Sequence, residues 1–75
     1  MQALLTHSAD EATEFAHAAL KLALGKEGSK NITDEAADIA AFLVVLLEMD
    51  VIDPDRYIKR FRMKLKKMRR KYGRK

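Results

Sequence analysis

Seventy-five residues without a cysteine exclude a disulfide framework and a thiolate metal site. They limit the chain to one domain, whose own core supplies no more than about 3 to 5 kcal/mol. The net charge of +4 divides sharply, because residues 1–55 carry three lysines against eleven acids, a net of −8, while residues 56–75 carry twelve bases and no acid. An acidic body with a basic tail points to nucleic acid, an anionic membrane or a phosphate-bearing substrate as partner. The uncharged run 39–47 is far short of the roughly 20 residues that a membrane span requires. The first residues also lack the basic, apolar and small-residue order of a signal peptide. The expectation is therefore a cytoplasmic protein with no membrane partner.

Residues 1–6 are an apolar lead whose state the sequence does not give. Ser-Ala-Asp-Glu at 8–11 is a capping-box pattern and predicts a helix start. Ala12, Phe15, Ala16, Ala19, Leu20 and Ala23 then recur at spacings of three and four, the mark of an amphipathic helix over about 8–24. His7, Glu11, Glu14, Ala18 and Lys21 form the opposite stripe. Gly25 ends this helix, and a polar loop follows. Asn31 or Thr33 caps a second helix, about 32–49, with Asp34 and Glu35 in its first turn, where acids complement the dipole. Over 39–47 its apolar residues run all round the helix. Two small neighbours cannot cover such an element, so a second subunit is expected to cover it, in a homo-dimer or homo-tetramer. Asp53 as cap and Pro54 at the first position open a third helix, about 54–72, which Gly73 stops. Tyr57, Ile58, Phe61, Leu65, Met68 and Tyr72 form its apolar stripe, with bases elsewhere. The expected fold is all-α: one domain over residues 1–75, three helices per chain with a basic last helix, completed as a bundle by oligomerisation.

Four carboxylates carry the chemistry. Glu11 and Glu14 are spaced i, i+3, as are Glu35 and Asp38, so each pair projects from one face of its helix. A single such pair is ordinarily a solvated face. Two pairs on successive helices with apolar opposite faces make an oxygen-rich site suited to Mg²⁺ or Mn²⁺. In a flush hairpin joined at 25–31, Glu14 and Asp38 lie about 6 Å apart along the axis, and Glu11 and Glu35 much further apart.

The stretches DEATEFAHAALKLALGK and NITDEAADIAAFLVVLL together resemble the all-α nucleoside triphosphate pyrophosphohydrolases, which include MazG-like enzymes and phosphoribosyl-ATP pyrophosphohydrolase. The signature E-x-x-E, followed by E-x-x-D, reads here as Glu11-Ala-Thr-Glu14 and Glu35-Ala-Ala-Asp38. The likeness covers about residues 8–70. It departs from the family pattern in having ten residues before Glu11, where most members carry a further helix. The resemblance implies that Glu11, Glu14, Glu35 and Asp38 hold Mg²⁺ ions that bind a triphosphate, and that the products are a nucleoside monophosphate and pyrophosphate. One of the four carboxylates is then the base.

Lys21, Lys64, Lys67 and Arg70 are candidate contacts to the phosphates, although for Lys21 a plain charge partner is the simpler reading. His7 and His17 lie on different faces and do not make a shared metal site. No glycine-rich phosphate loop and no Ser/His/Asp constellation is present. The competing reading is a non-catalytic helical dimer that binds nucleic acid through its basic last helix, which accounts for the tail but not for the acids. A purely structural oligomer accounts for neither.

Overall fold

The computed structural model describes residues 1–73 and is all-α, with α1 (Gln2–Ala23), α2 (Ser29–Glu48) and α3 (Pro54–Tyr72). Two of the twelve tail bases, Arg74 and Lys75, lie outside the described residues. The chain forms two compact units, one of Met1–Val45 and one beginning at Leu46. Among the described residues no helix is long and apolar enough to cross a membrane.

The first unit pairs α1 with most of α2, and both helices begin earlier than the sequence predicts. Residues 2–7 contain neither glycine nor proline, so nothing interrupts helical propagation toward the first residue. Ser8 consequently lies inside α1, where its hydroxyl donates to the Leu5 carbonyl at 2.8 Å, and the expected capping box is not formed. That leaves the Glu11 carboxylate free of a capping role. In α2 the Thr33 hydroxyl donates to the Ser29 carbonyl at 2.7 Å, and the Asn31 amide donates to the Glu27 carboxylate at 2.7 Å. Neither residue is the cap, and Asp34 and Glu35 stand beyond the first turn.

α1 ends as expected at Gly25, which takes the left-handed conformation at φ 73°. The Gly25 N–H donates to the Leu22 carbonyl and the Lys26 N–H to the Lys21 carbonyl, the paired bonds of a Schellman motif. The chain then turns back on itself, and the Lys21 ammonium meets the Glu27 carboxylate at 3.4 Å.

The covered face of α1 is not the predicted stripe. Ala18, assigned to the opposite side, is the best covered residue of the chain at 2% exposure, whereas Leu20 is 62% exposed. Leu4, Ser8, Glu11, Phe15 and Ala19 share the covered side, a face turned by roughly 80° from the expected one. Alanines occur all round this helix, so its hydrophobic periodicity is weak. On α2, Ile32, Glu35, Ile39, Phe42 and Leu43 are partly covered, while Val44 and Val45 remain 51% and 37% exposed.

In the second unit Leu46, at 6% exposure, is the best covered large side chain. α2 closes with another Schellman motif, in which the Asp50 N–H donates to the Leu47 carbonyl and the Val51 N–H to the Leu46 carbonyl. The left-handed position is held by Asp50 at φ 59°, where a Cβ is unfavourable. Asp50→Gly is therefore expected to stabilise the protein by about 0.5 to 1 kcal/mol, read as a higher urea midpoint at unchanged slope. A lower midpoint would show that the Asp50 side chain itself holds the turn. Asp53 then caps α3 as predicted, its carboxylate accepting from the backbone N–H groups of Asp55 and Arg56, with Pro54 at the first position. The Tyr57 and Phe61 rings stack one turn apart, with centroids 6.1 Å apart. Gly73 ends the helix, its N–H donating to the Arg69 carbonyl at 2.9 Å.

Candidate metal centre

Three carboxylates from two helices converge in the first unit. One oxygen from each of Glu11, Glu14 and Glu35 lies within 4.8 Å of the other two. Two oxygens on opposite sides of one Mg²⁺ stand about 4.2 Å apart at the usual metal–oxygen distance. Three ligands of one octahedral ion include at least two neighbouring pairs about 3 Å apart, so the group must contract from its present spacing to share one ion.

The register of the hairpin brings them together. Because the connection folds back, Glu27 stands beside Lys21 instead of beyond the end of α1. Counting eight residues away from the turn on each strand of the hairpin puts Glu35 level with Thr13, between Glu11 and Glu14 on the neighbouring helix. The expectation that Glu11 and Glu35 lie far apart is thereby overturned. It assumed a flush hairpin and a longer connection, whereas α2 begins at Ser29. The useful sequence signal was a lysine in the last turn of α1 followed by a glutamate in the loop. Asp38 is exposed and does not join a three-carboxylate group among the described residues. Its charge nevertheless reaches both Glu11 and Glu35.

The group is electrostatically unfavourable without a counter-ion. Desolvation first, then the charges of Glu14 and Asp38, raise the Glu11 pKa above its ordinary 4.5. Glu35 is likewise raised by desolvation, then by a shared hydrogen bond with Glu14 and by the charges of Glu14, Glu11 and Asp38. When the carboxylates are ionised, Oε2 of Glu11 and Oε2 of Glu35 are both shielded from solvent and without any hydrogen-bond partner. Two shielded oxygens lacking donors fit a cation that would satisfy them.

A pH dependence follows. Below pH 4.5 both groups are protonated in the folded and unfolded states alike, and they cost nothing. Between 4.5 and the raised folded values the folded state holds the protons more tightly, so stability is lost as pH rises through that window. The metal-free protein is expected to gain melting temperature on acidification from neutrality toward pH 4.5, relative to a Glu11→Gln/Glu35→Gln variant. Parallel melting profiles for the two proteins would contradict this.

The remaining candidates are placed as follows. Lys21 pairs with Glu27 at 3.4 Å. Lys64, Lys67 and Arg70 are exposed on α3 in the second unit. His7 and His17 are exposed, and neither belongs to the three-carboxylate group. The largest concavity described runs along one side of α3, lined by Arg62, Leu65, Lys66, Arg69 and Arg70, and does not touch the carboxylates. A groove on one helix face encloses little, so the acids and not a cavity define the site. Compared with protein-family models, with curated proteins and with solved structures, the chain gives no match.

Proposed function

We propose that the chain is a relative of the MazG-like enzymes that hydrolyses a nucleoside triphosphate to the monophosphate and pyrophosphate with Mg²⁺, Mn²⁺ being the alternative ion. The observation that carries this reading is the convergence of Glu11, Glu14 and Glu35, with two shielded oxygens that lack donors. These residues come from the two halves of the E-x-x-E and E-x-x-D signature, and Asp38 completes it one turn along α2. When bound, the cation would neutralise phosphate oxygens and acidify a water.

The residues of the chain supply the rest. Glu11, Glu14 and Glu35 would hold the cation, and Asp38 would add negative charge beside them. A carboxylate not fully engaged by metal accepts the proton as water attacks the α-phosphorus. The new phosphorus–oxygen bond forms as the bond to the α,β-bridging oxygen breaks, and that electron pair leaves with pyrophosphate. Any of the four carboxylates that keeps a free oxygen could serve as that base.

Pyrophosphate release from a panel of nucleoside triphosphates with Mg²⁺ tests the reading. Mg²⁺-dependent release in equal amount with monophosphate supports it, and silence across the panel with both Mg²⁺ and Mn²⁺ contradicts it. The proposal includes a homo-oligomer in the cytoplasm, where nucleotides and Mg²⁺ are abundant. Only Ala18 and Leu46 are fully covered among the described apolar residues, and Val44 and Val45 leave one side of α2 open. A stable monomer in light scattering at micromolar concentration would contradict the oligomer.

A further inference from the structure

We propose that α3 docks the protein onto the surface of an anionic phospholipid bilayer, lying in the interface with its apolar stripe toward the acyl chains. Tyr57, Ile58, Phe61, Leu65, Met68 and Tyr72 occupy an arc of roughly 100° on this helix. The protein covers that arc only in part: Tyr57 and Leu65 are half-buried, while Ile58 is 42%, Phe61 48%, Met68 46% and Tyr72 72% exposed. The rest of the circumference is basic. After Asp55 the helix carries no acid, and its lysines and arginines fill every other direction, interrupted only by Met63 at the centre of the basic face.

Both features together select the occupant. A second α3 laid on the arc would bring like charges together along both seams, since Arg62 and Arg69 edge one side and Lys64 and Lys71 the other. A nucleic acid would use the bases but leave the aromatic arc in water. An anionic bilayer accommodates both, with the apolar arc at the headgroup–acyl boundary and the flanking bases reaching up to the phosphates. Tyrosine and phenylalanine are well suited to that depth, and the Lys71 ammonium lies over the Tyr72 ring, 5.2 Å from its centre, which places charge beside the aromatic arc. The short apolar runs exclude a span but not a helix that lies in the interface.

Co-sedimentation with phosphatidylcholine vesicles, with and without about a third phosphatidylserine, tests the proposal. The full chain is expected to bind the anionic vesicles and not the neutral ones. Phe61→Glu and Met63→Glu change the charge equally at exposed positions on opposite faces, which separates insertion from simple attraction. The Met63 variant should lose about fivefold in affinity through charge alone. Phe61→Glu should lose about fiftyfold or more, because it also removes an inserted ring. Phe61→Ala keeps helix propensity and charge, and should lose about tenfold. Equal losses at positions 61 and 63, or no binding to anionic vesicles, would overturn the proposal. So would duplex DNA or RNA that binds more tightly than the vesicles and is insensitive to Phe61→Ala. A parent that ignores vesicles and falls to a smaller assembly on Phe61→Glu would assign the arc to a second copy instead.

Discussion

Glu14→Gln and Glu35→Gln should each reduce Mg²⁺-dependent pyrophosphate release on the order of a hundredfold or more. Neither should lower the melting temperature of the metal-free protein. Each replaces a carboxylate of the three-acid group by a neutral side chain of the same size and helix geometry. Without a cation these acids repel one another, so deleting one charge relieves the fold while removing a ligand. If Mg²⁺ binds the folded state as proposed, it should raise the melting temperature of the parent more than that of either variant. Asp38→Asn separates direct ligation from background charge. Its exposed carboxylate stands outside the three-acid group, and a smaller loss of activity than in Glu14→Gln is expected. Full activity and an unchanged Mg²⁺ response in Glu14→Gln and Glu35→Gln would reduce the carboxylates to a solvated face.

Leu46→Ala is the substitution expected to cost the fold most. Leu46 is 6% exposed, and truncating a buried leucine typically costs about 2 to 5 kcal/mol. A chain of this length has about that much to lose, so the variant should show a greatly lowered melting temperature or no cooperative transition. Leu20→Ala, at a site 62% exposed, should stay within about 0.5 kcal/mol of the parent. A cost at Leu20 equal to that at Leu46 would show that another copy covers the outer face of α1.

The contrast between these two leucines shows where the sequence could be read and where it could not. The number and kind of helices followed from local chemistry. The Asp53 and Pro54 start and the left-handed Gly25 stop are decided by the residues themselves, and the structure holds both as expected. The starts of α1 and α2 were misplaced because Ser8, Asn31 and Thr33 have hydroxyl or amide groups that serve inside a helix as well as at its end. The face of α1 was misplaced because alanines surround it and a glutamate, Glu11, stands on the covered side. Pattern reasoning assigns a carboxylate to solvent unless something pairs with it.

The candidate site was readable in composition and only partly in geometry. Glu11, Glu14 and Glu35 were identified by their i, i+3 spacing, which is local to each helix. Which acids meet depends on the register between helices, which follows from a five-residue connection that brings Glu27 beside Lys21. No spacing rule within one helix contains that information.

The proposed metal site is tested most directly by titrating the protein with Mn²⁺ and following free ion by electron paramagnetic resonance, because this readout needs neither the correct nucleotide nor turnover. The parent is expected to bind Mn²⁺ saturably, Mg²⁺ to compete for it, and Glu14→Gln and Glu35→Gln to lose most of the binding. Binding that is absent in the parent, or of equal strength in both variants, would contradict a metal centre at Glu11, Glu14 and Glu35.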